Sequence, residues 1–167
     1  MAKTATFDIS STVDLQEVDN ALNQARKEIL QRFDFKGSTA EIEFSKKDGT
    51  LTLLSDDEYK LQALVDVIQT KLIKRGVPVR NLDYGEVEQA FGGKARQTIT
   101  LVQGISTEKG KEIVKAIKAA GFKKVSAQIQ DEQVRVTSPS IDELQSVIAA
   151  LKKEDFGIEL SFGNFRS

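Results

Sequence analysis

Residues 50–68 read TLTLLSDDEYKLQALVDVI, and residues 133–151 read QVRVTSPSIDELQSVIAAL. Each stretch begins with apolar residues at every second position, the period of a strand with one buried face, and ends with apolar residues at helical spacing. A shift of 83 residues superimposes them: Leu51, Leu53, Ser55, Leu61, Leu64, Val65 and Ile68 fall on Val134, Val136, Ser138, Leu144, Val147, Ile148 and Leu151. Further along, Val77, Val79, Asn81 and Leu82 fall on Leu160, Phe162, Asn164 and Phe165. A strand, a helix start, a helical stripe and a second strand are thus kept in one register, which indicates two similar folding units.

Outward from these stretches, strand-like segments are expected at 5–10, 39–46, 50–55 and 77–84, then at 97–103, 123–130, 133–138 and 158–165. Leu15, Val18, Leu22, Ala25 and Ile29 form a further helical stripe, as do Ile113, Val114, Ile117 and Ala120. Each half then reads βαββαβ. The expected fold is α+β, a tandem of two ferredoxin-like domains shaped like RNA-recognition modules, with helices on one face of each antiparallel sheet. The expected domains are 1–92 and 93–167, with terminal or connector strands free to pair in the other sheet. Glu86 to Phe91 can extend a strand, and Gly92-Gly93 reads as a hinge.

Ser55 with Glu58 and Ser140 with Glu143 have the spacing of a capping box, and Asp14 or a neighbour can cap the first helix. Gly76 and Gly121 are expected helix stops. Lys47-Asp48-Gly49 and Gln130-Asp131-Glu132 are expected to close hairpins.

Composition narrows the function classes. The chain has 167 residues, 40% hydrophobic and 29% charged, with no Cys and no His. Thiolate chemistry, disulfides, imidazole bases and imidazole metal ligands are therefore excluded. No paired-carboxylate, Ser-x-x-Lys or Walker-type signature stands out, so the expectation is a non-enzyme without catalytic residues, metal or cofactor. No apolar run has spanning length, and Met1 to Asp8 lacks a signal-type apolar stretch, which gives a cytoplasmic expectation without membrane association. Net charge is −1, but a cut after Gly93 leaves 12 Lys+Arg against 16 Asp+Glu before it and 12 against 9 after it. The polarity fits an anionic ligand near the second half, or two oppositely charged domains.

Several segments offer anion-binding chemistry. Gln31 to Ser38 contains Arg32, Phe33, Phe35, Lys36 and Gly37: cations for phosphate, rings for a base, and a glycine that lets amides approach an anion. The other reading has both rings anchoring the loop in the core. Phe91 to Gln97 brings Lys94 and Arg96 beside a glycine pair, and also fits a charged linker. Gly104 to Lys111 runs into a helix start, where free amides favour anions, though lysines on a helix are routine. Alternation places Arg135 with Thr98, Thr100 and Thr137 on an open sheet face without aromatics, which disfavours base stacking of the RNA-recognition kind.

Phe7-Asp8-Ile9, Val13 to Val18, Arg32-Phe33-Asp34-Phe35-Lys36-Gly37, Lys74-Arg75-Gly76-Val77, Gln97 to Gly104, Val125 to Thr137 and Asn164-Phe165-Arg166 together resemble the YajQ family over nearly the whole chain. The resemblance implies tandem RNA-recognition-like domains and nucleotide binding, with some members acting as cyclic di-GMP effectors in bacterial signalling. It implies a purine nucleotide or cyclic di-GMP as partner and a downstream transcription regulator, with RNA or single-stranded DNA as the alternative ligand. It also directs attention to Arg32, Phe33, Phe35, Lys36, Lys94 and Arg96. Gly163 departs from the basic residue common in the family, and the connector is shorter.

Overall fold

A computed structural model describes residues 4–167, which leaves the first three residues of the Met1 to Asp8 opening outside the described part. The strands are β1 (Ala5–Ser10), β2 (Ala40–Ser45), β3 (Thr50–Ser55), β4 (Leu82–Tyr84), β5 (Glu88–Ala90), β6 (Lys94–Leu101), β7 (Ser126–Gln130), β8 (Gln133–Ser138) and β9 (Ser161–Arg166). The helices are α1 (Leu15–Gln31), α2 (Glu58–Lys74), α3 (Thr107–Ala119) and α4 (Ile141–Lys152). All described strand pairs are antiparallel, and the fold is α+β with a repeated βαββαβ-like pattern.

The chain forms two compact units, one from Val13–Val102 and one from the residues up to Thr12 together with Gln103–Ser167. In the Val13–Val102 unit the sheet order is β2-β3-β6-β4, with β5 also paired to β6; in the other it is β7-β8-β1-β9. The arrangement differs from the 1–92 and 93–167 division: β1 lies in the sheet of the later half and β6 in the sheet of the earlier half. Both occupy the same place. Ile99 on β6 stands opposite Leu51, and Ile9 on β1 opposite Val134, the two residues related by the 83-residue register. Alternation specifies which face of a strand is buried, not which strand it joins, so sequence periodicity is blind to this exchange.

In the Val13–Val102 unit, Leu51, Leu53, Ala95, Ile99 and Leu101 face Val18, Leu22, Ala25, Leu61, Leu64 and Ile68 of α1 and α2. Full burial of each Leu or Ile contributes about 1.5–3 kcal/mol. In the other unit Phe7, Ile9, Val134 and Val136 are fully buried together with Ile113 of α3 and Val147 of α4. Phe7 also meets Phe162 edge-on at 6.0 Å and Phe165 at 5.8 Å.

Asp14 caps α1 by accepting from the amides of Gln16 and Glu17, and Ser140 caps α4 through the amide of Glu143. At α2 the capping-box expectation is corrected: Asp57 is the cap, bonding the Lys60 amide at 2.7 Å, while the fully buried Ser55 hydroxyl donates to the Thr39 carbonyl. Ser55 cannot serve the helix because its own strand buries it. The charge polarity also shrinks, because Lys94 and Arg96 belong to the earlier unit: Val13–Val102 holds 13 Lys+Arg against 15 Asp+Glu, and the remainder 11 against 10.

Candidate functional site

The sheet of the Val13–Val102 unit turns Leu51, Leu53, Ala95 and Ile99 towards its helices, so the alternate residues stand on the opposite face. Register aligns four of them in one row across four strands: Glu41, Leu54, Arg96 and Glu88. Glu43 and Thr52 form the neighbouring pair, and Lys94 stands across from Ala90. With Phe91, all of these except Glu88 line an open cleft of about 340 Å3, within the range of about 300–1,000 Å3 usual for small-molecule sites.

A hairpin makes this cleft. β5 and β6 are joined by the 3-10 turn Phe91–Gly93, in which Gly92 and Gly93 have φ of 78° and 76°. These left-handed conformations suit glycine because it has no Cβ to clash with the backbone. What reads as a charged linker is therefore a turn followed by a strand, and it delivers Lys94 and Arg96 to the sheet face. Phe91 sits at the hairpin tip with its residue surface 99% exposed. Arg96 is partly engaged, its guanidinium lying 3.6 Å from the Glu88 carboxylate. Lys94 is close enough to act on Asp56, whose carboxyl is held below the ordinary range first by the Thr39 amide and also by that ammonium charge.

The Gln31–Ser38 segment divides its residues between two roles. Phe35 is 3% exposed and anchors the loop in the core, whereas Phe33 is 88% exposed. Arg32 lies 5.1 Å from the centre of the Phe35 ring. It is bonded to Asp34 at 2.6 and 2.9 Å and reaches Glu28 at 3.5 Å. The Asp34 hydrogen bond in particular raises the Arg32 pKa, and a phosphate would have to displace that carboxylate. Lys36 is exposed in the turn that follows. The loop ends at Thr39, whose amide donates to Asp56 at 3.2 Å.

Arg135 lies in the other unit. Its Nε donates to Asp8 Oδ1 at 2.9 Å and its second bond to Oδ2 is 3.4 Å, while the Asn164 amide donates to Oδ2 at 2.6 Å. Asn164 reaches Asp8 from a left-handed backbone, φ 56°, where the β1–β9 ladder shifts register. The Asp8 carboxyl is held below its ordinary value, first by the Arg135 hydrogen bond and then by Asn164, against the opposing effect of burial. Thr98 and Thr100, expected beside Arg135, belong to the other sheet.

The structure thus brings together Lys94 and Arg96, and separately Arg32 with Phe35, while Arg135 belongs to the other unit. Glu41, Glu43 and Thr52 were not singled out from the sequence, although alternation about Ile42, Leu51 and Leu53 places them on the open face. Among the described residues no group of three or more Asp and Glu has a metal-holding arrangement, and no helix is long and apolar enough to cross a membrane.

A family model described as nucleotide-binding protein YajQ-like matches residues 5–166. The chain is similar to a nucleotide-binding protein of Geotalea uraniireducens (strain Rf4), 56% identical over 160 residues and covering 96% of this chain and 98% of that protein. A nucleotide-binding protein of Trichlorobacter lovleyi is 55% identical over 160 residues, with the same coverage of 96% and 98%. One from Desulfitobacterium hafniense (strain DSM 10664 / DCB-2) is 52% identical over 166 residues, covering 99% of this chain and 100% of that protein.

Proposed function

The chain belongs to the YajQ-like family of nucleotide-binding proteins, and from that premise we propose that it binds a purine nucleotide, without bond chemistry, in the cleft on the open face of the Val13–Val102 sheet. The observation that carries this reading is the placement of exposed Phe91 beside Lys94 and Arg96 in one cleft. A purine stacks on the Phe91 ring, and the two cations take the phosphate. Glu41 and Glu43 line the same cleft. Carboxylates accept hydrogen bonds, and the Watson–Crick edge of guanine offers an N–H and an amino group, so these residues favour guanine over adenine.

Cyclic di-GMP and GTP are the proposed ligands, with a role as a cytoplasmic signalling effector that reports to a downstream transcription regulator. Two carboxylates, Glu41 and Glu43, line the cleft with the two cations, and a third, Glu88, pairs with Arg96. That mixture suits a single nucleotide better than the continuous phosphates of RNA or single-stranded DNA, which gain most from uniformly basic surfaces. A chain without His or Cys, with its cleft cations facing carboxylates, is read as a binder and not an enzyme.

Calorimetric titration with cyclic di-GMP, GTP and ATP tests the proposal. The expected result is binding of the guanine ligands in preference to ATP, loss on Arg96→Ala, persistence on Arg32→Ala and Arg135→Ala, and ligand recovered unchanged. Absence of binding by all three nucleotides would remove the reading.

A further inference from the structure

The β7 edge of the β7-β8-β1-β9 sheet carries a second surface, built differently from the cleft. β7 pairs only with β8 among the described residues, so the backbone groups on its other edge have no strand partner there. Ala127 and Ile129 point to the helix side yet remain half-buried, whereas Val134 and Val136 on β8 are fully buried. Gly110 lets α3 approach the strand closely: a Cβ there would lie 3.0 Å from Ile129 Cγ1. With Val114 of α3, Ala127 and Ile129 floor a groove of about 390 Å3, rimmed by Lys111, Lys115 and Lys118.

These lysines recur at helical spacing along one side of α3. The ion pair on this helix joins Lys109 to Glu112 at 3.4 Å and leaves the three rim lysines without a carboxylate partner among the described residues. Between Lys109 and Lys124 the chain holds six lysines and one acidic residue, Glu112. An unpartnered strand edge, an apolar floor and a row of unpaired cations therefore coincide.

We propose that this groove docks an acidic protein segment in extended form, which adds a strand to β7. The segment's backbone pairs with Ser126–Gln130, and its helix-side positions carry both apolar side chains, which cover Ala127 and Ile129, and carboxylates, which meet Lys111, Lys115 and Lys118. A nucleic-acid backbone matches the lysines but gains nothing from an apolar floor or from unpaired strand amides and carbonyls. The surface lies in the unit that does not hold the proposed nucleotide cleft, so the two assignments stand or fall separately.

The test uses the isotope-labelled full chain and a short peptide of repeating Val-Thr-Glu-Thr, which sets valine and glutamate on one face of a strand, followed by amide chemical shifts. The expected result is perturbation of Ser126–Gln130 and Lys111–Lys118, with affinity reduced about tenfold or more in Lys115→Glu/Lys118→Glu, whose melting should match wild type. The peptide leaving these amides unmoved would overturn the proposal, as would equal binding by the double variant. Perturbation of the same amides by oligouridylate in place of the peptide would equally overturn it, by identifying the surface as a nucleic-acid site.

Discussion

Arg96 faces Glu88 across the β5–β6 ladder, and its guanidinium lies 3.6 Å from that carboxylate. Both side chains are well exposed, so the pair contributes about 1 kcal/mol or less to stability. In the proposed nucleotide site its larger consequence is for ligand binding, since a phosphate would compete with Glu88. Glu88→Gln is expected to tighten cyclic di-GMP or GTP binding about threefold, with the melting temperature lowered by no more than about 4 °C. Arg96→Ala is expected to weaken binding about tenfold or more, the scale of one charge-assisted hydrogen bond. Calorimetry of the two variants checks the opposite signs, and weakened binding in Glu88→Gln would contradict the competition.

Phe91→Ala separates binding from folding. The ring is 99% exposed and packs into no core, so its loss is expected to change stability by no more than about 0.5 kcal/mol. Base stacking on an aromatic is worth about 1–3 kcal/mol, which predicts nucleotide affinity lower by roughly five- to 150-fold. Thermal melts and titration of the same sample read both quantities. Unchanged affinity would remove the stacking role.

Asp8 gives the fold a pH dependence with a definite sign. Its carboxyl is depressed below the ordinary 3.8 by Arg135 and Asn164, so the folded state favours the ionised form more than the unfolded state does. That stability is fully present above the ordinary value and is lost as pH falls through the depressed one. Asp8→Asn is therefore expected to melt below wild type at neutral pH, with the gap narrowing under strongly acidic conditions. A gap of constant size across pH would contradict this account.

The helices and the faces of the strands were legible in the sequence because burial imposes a period, as at Leu61, Leu64, Val65 and Ile68 or at Leu51 and Leu53. The partner of each strand was not, because β1 and β6 carry the same kind of alternation and either sheet can use it. Lys94 and Arg96 were legible as candidate cations but not as strand residues, for a related reason: Gly92-Gly93 has the composition of a hinge, while the alternation of Ala95, Gln97, Ile99 and Leu101 that marks a strand begins just beyond it. Glu41, Glu43 and Thr52 were recoverable from the same alternation. The exposure of Phe91 had no signal at all, since a ring next to two glycines is as readily a core anchor, the role Phe35 takes beside Gly37.

The strand exchange predicts which fragment folds. Residues 13–102 contain β2, β3, β6 and β4 together with α1 and α2, the complete sheet and its helices. Residues 1–92 lack β6, the strand between β3 and β4, and leave Leu51 and Leu53 without their neighbours across the sheet. Expressed separately, the first fragment is expected to unfold cooperatively and the second to show no cooperative transition. Circular dichroism melts decide it, and the reverse outcome would contradict the assigned topology.

The most direct measurement is amide chemical-shift mapping of the full chain on addition of cyclic di-GMP, with GTP in parallel. The account predicts shifts centred on Phe91 to Arg96 and on Glu41, Glu43 and Thr52 across the sheet face. Shifts confined to Arg32 to Lys36 or to the surroundings of Arg135, with the β5–β6 hairpin unmoved, would contradict it.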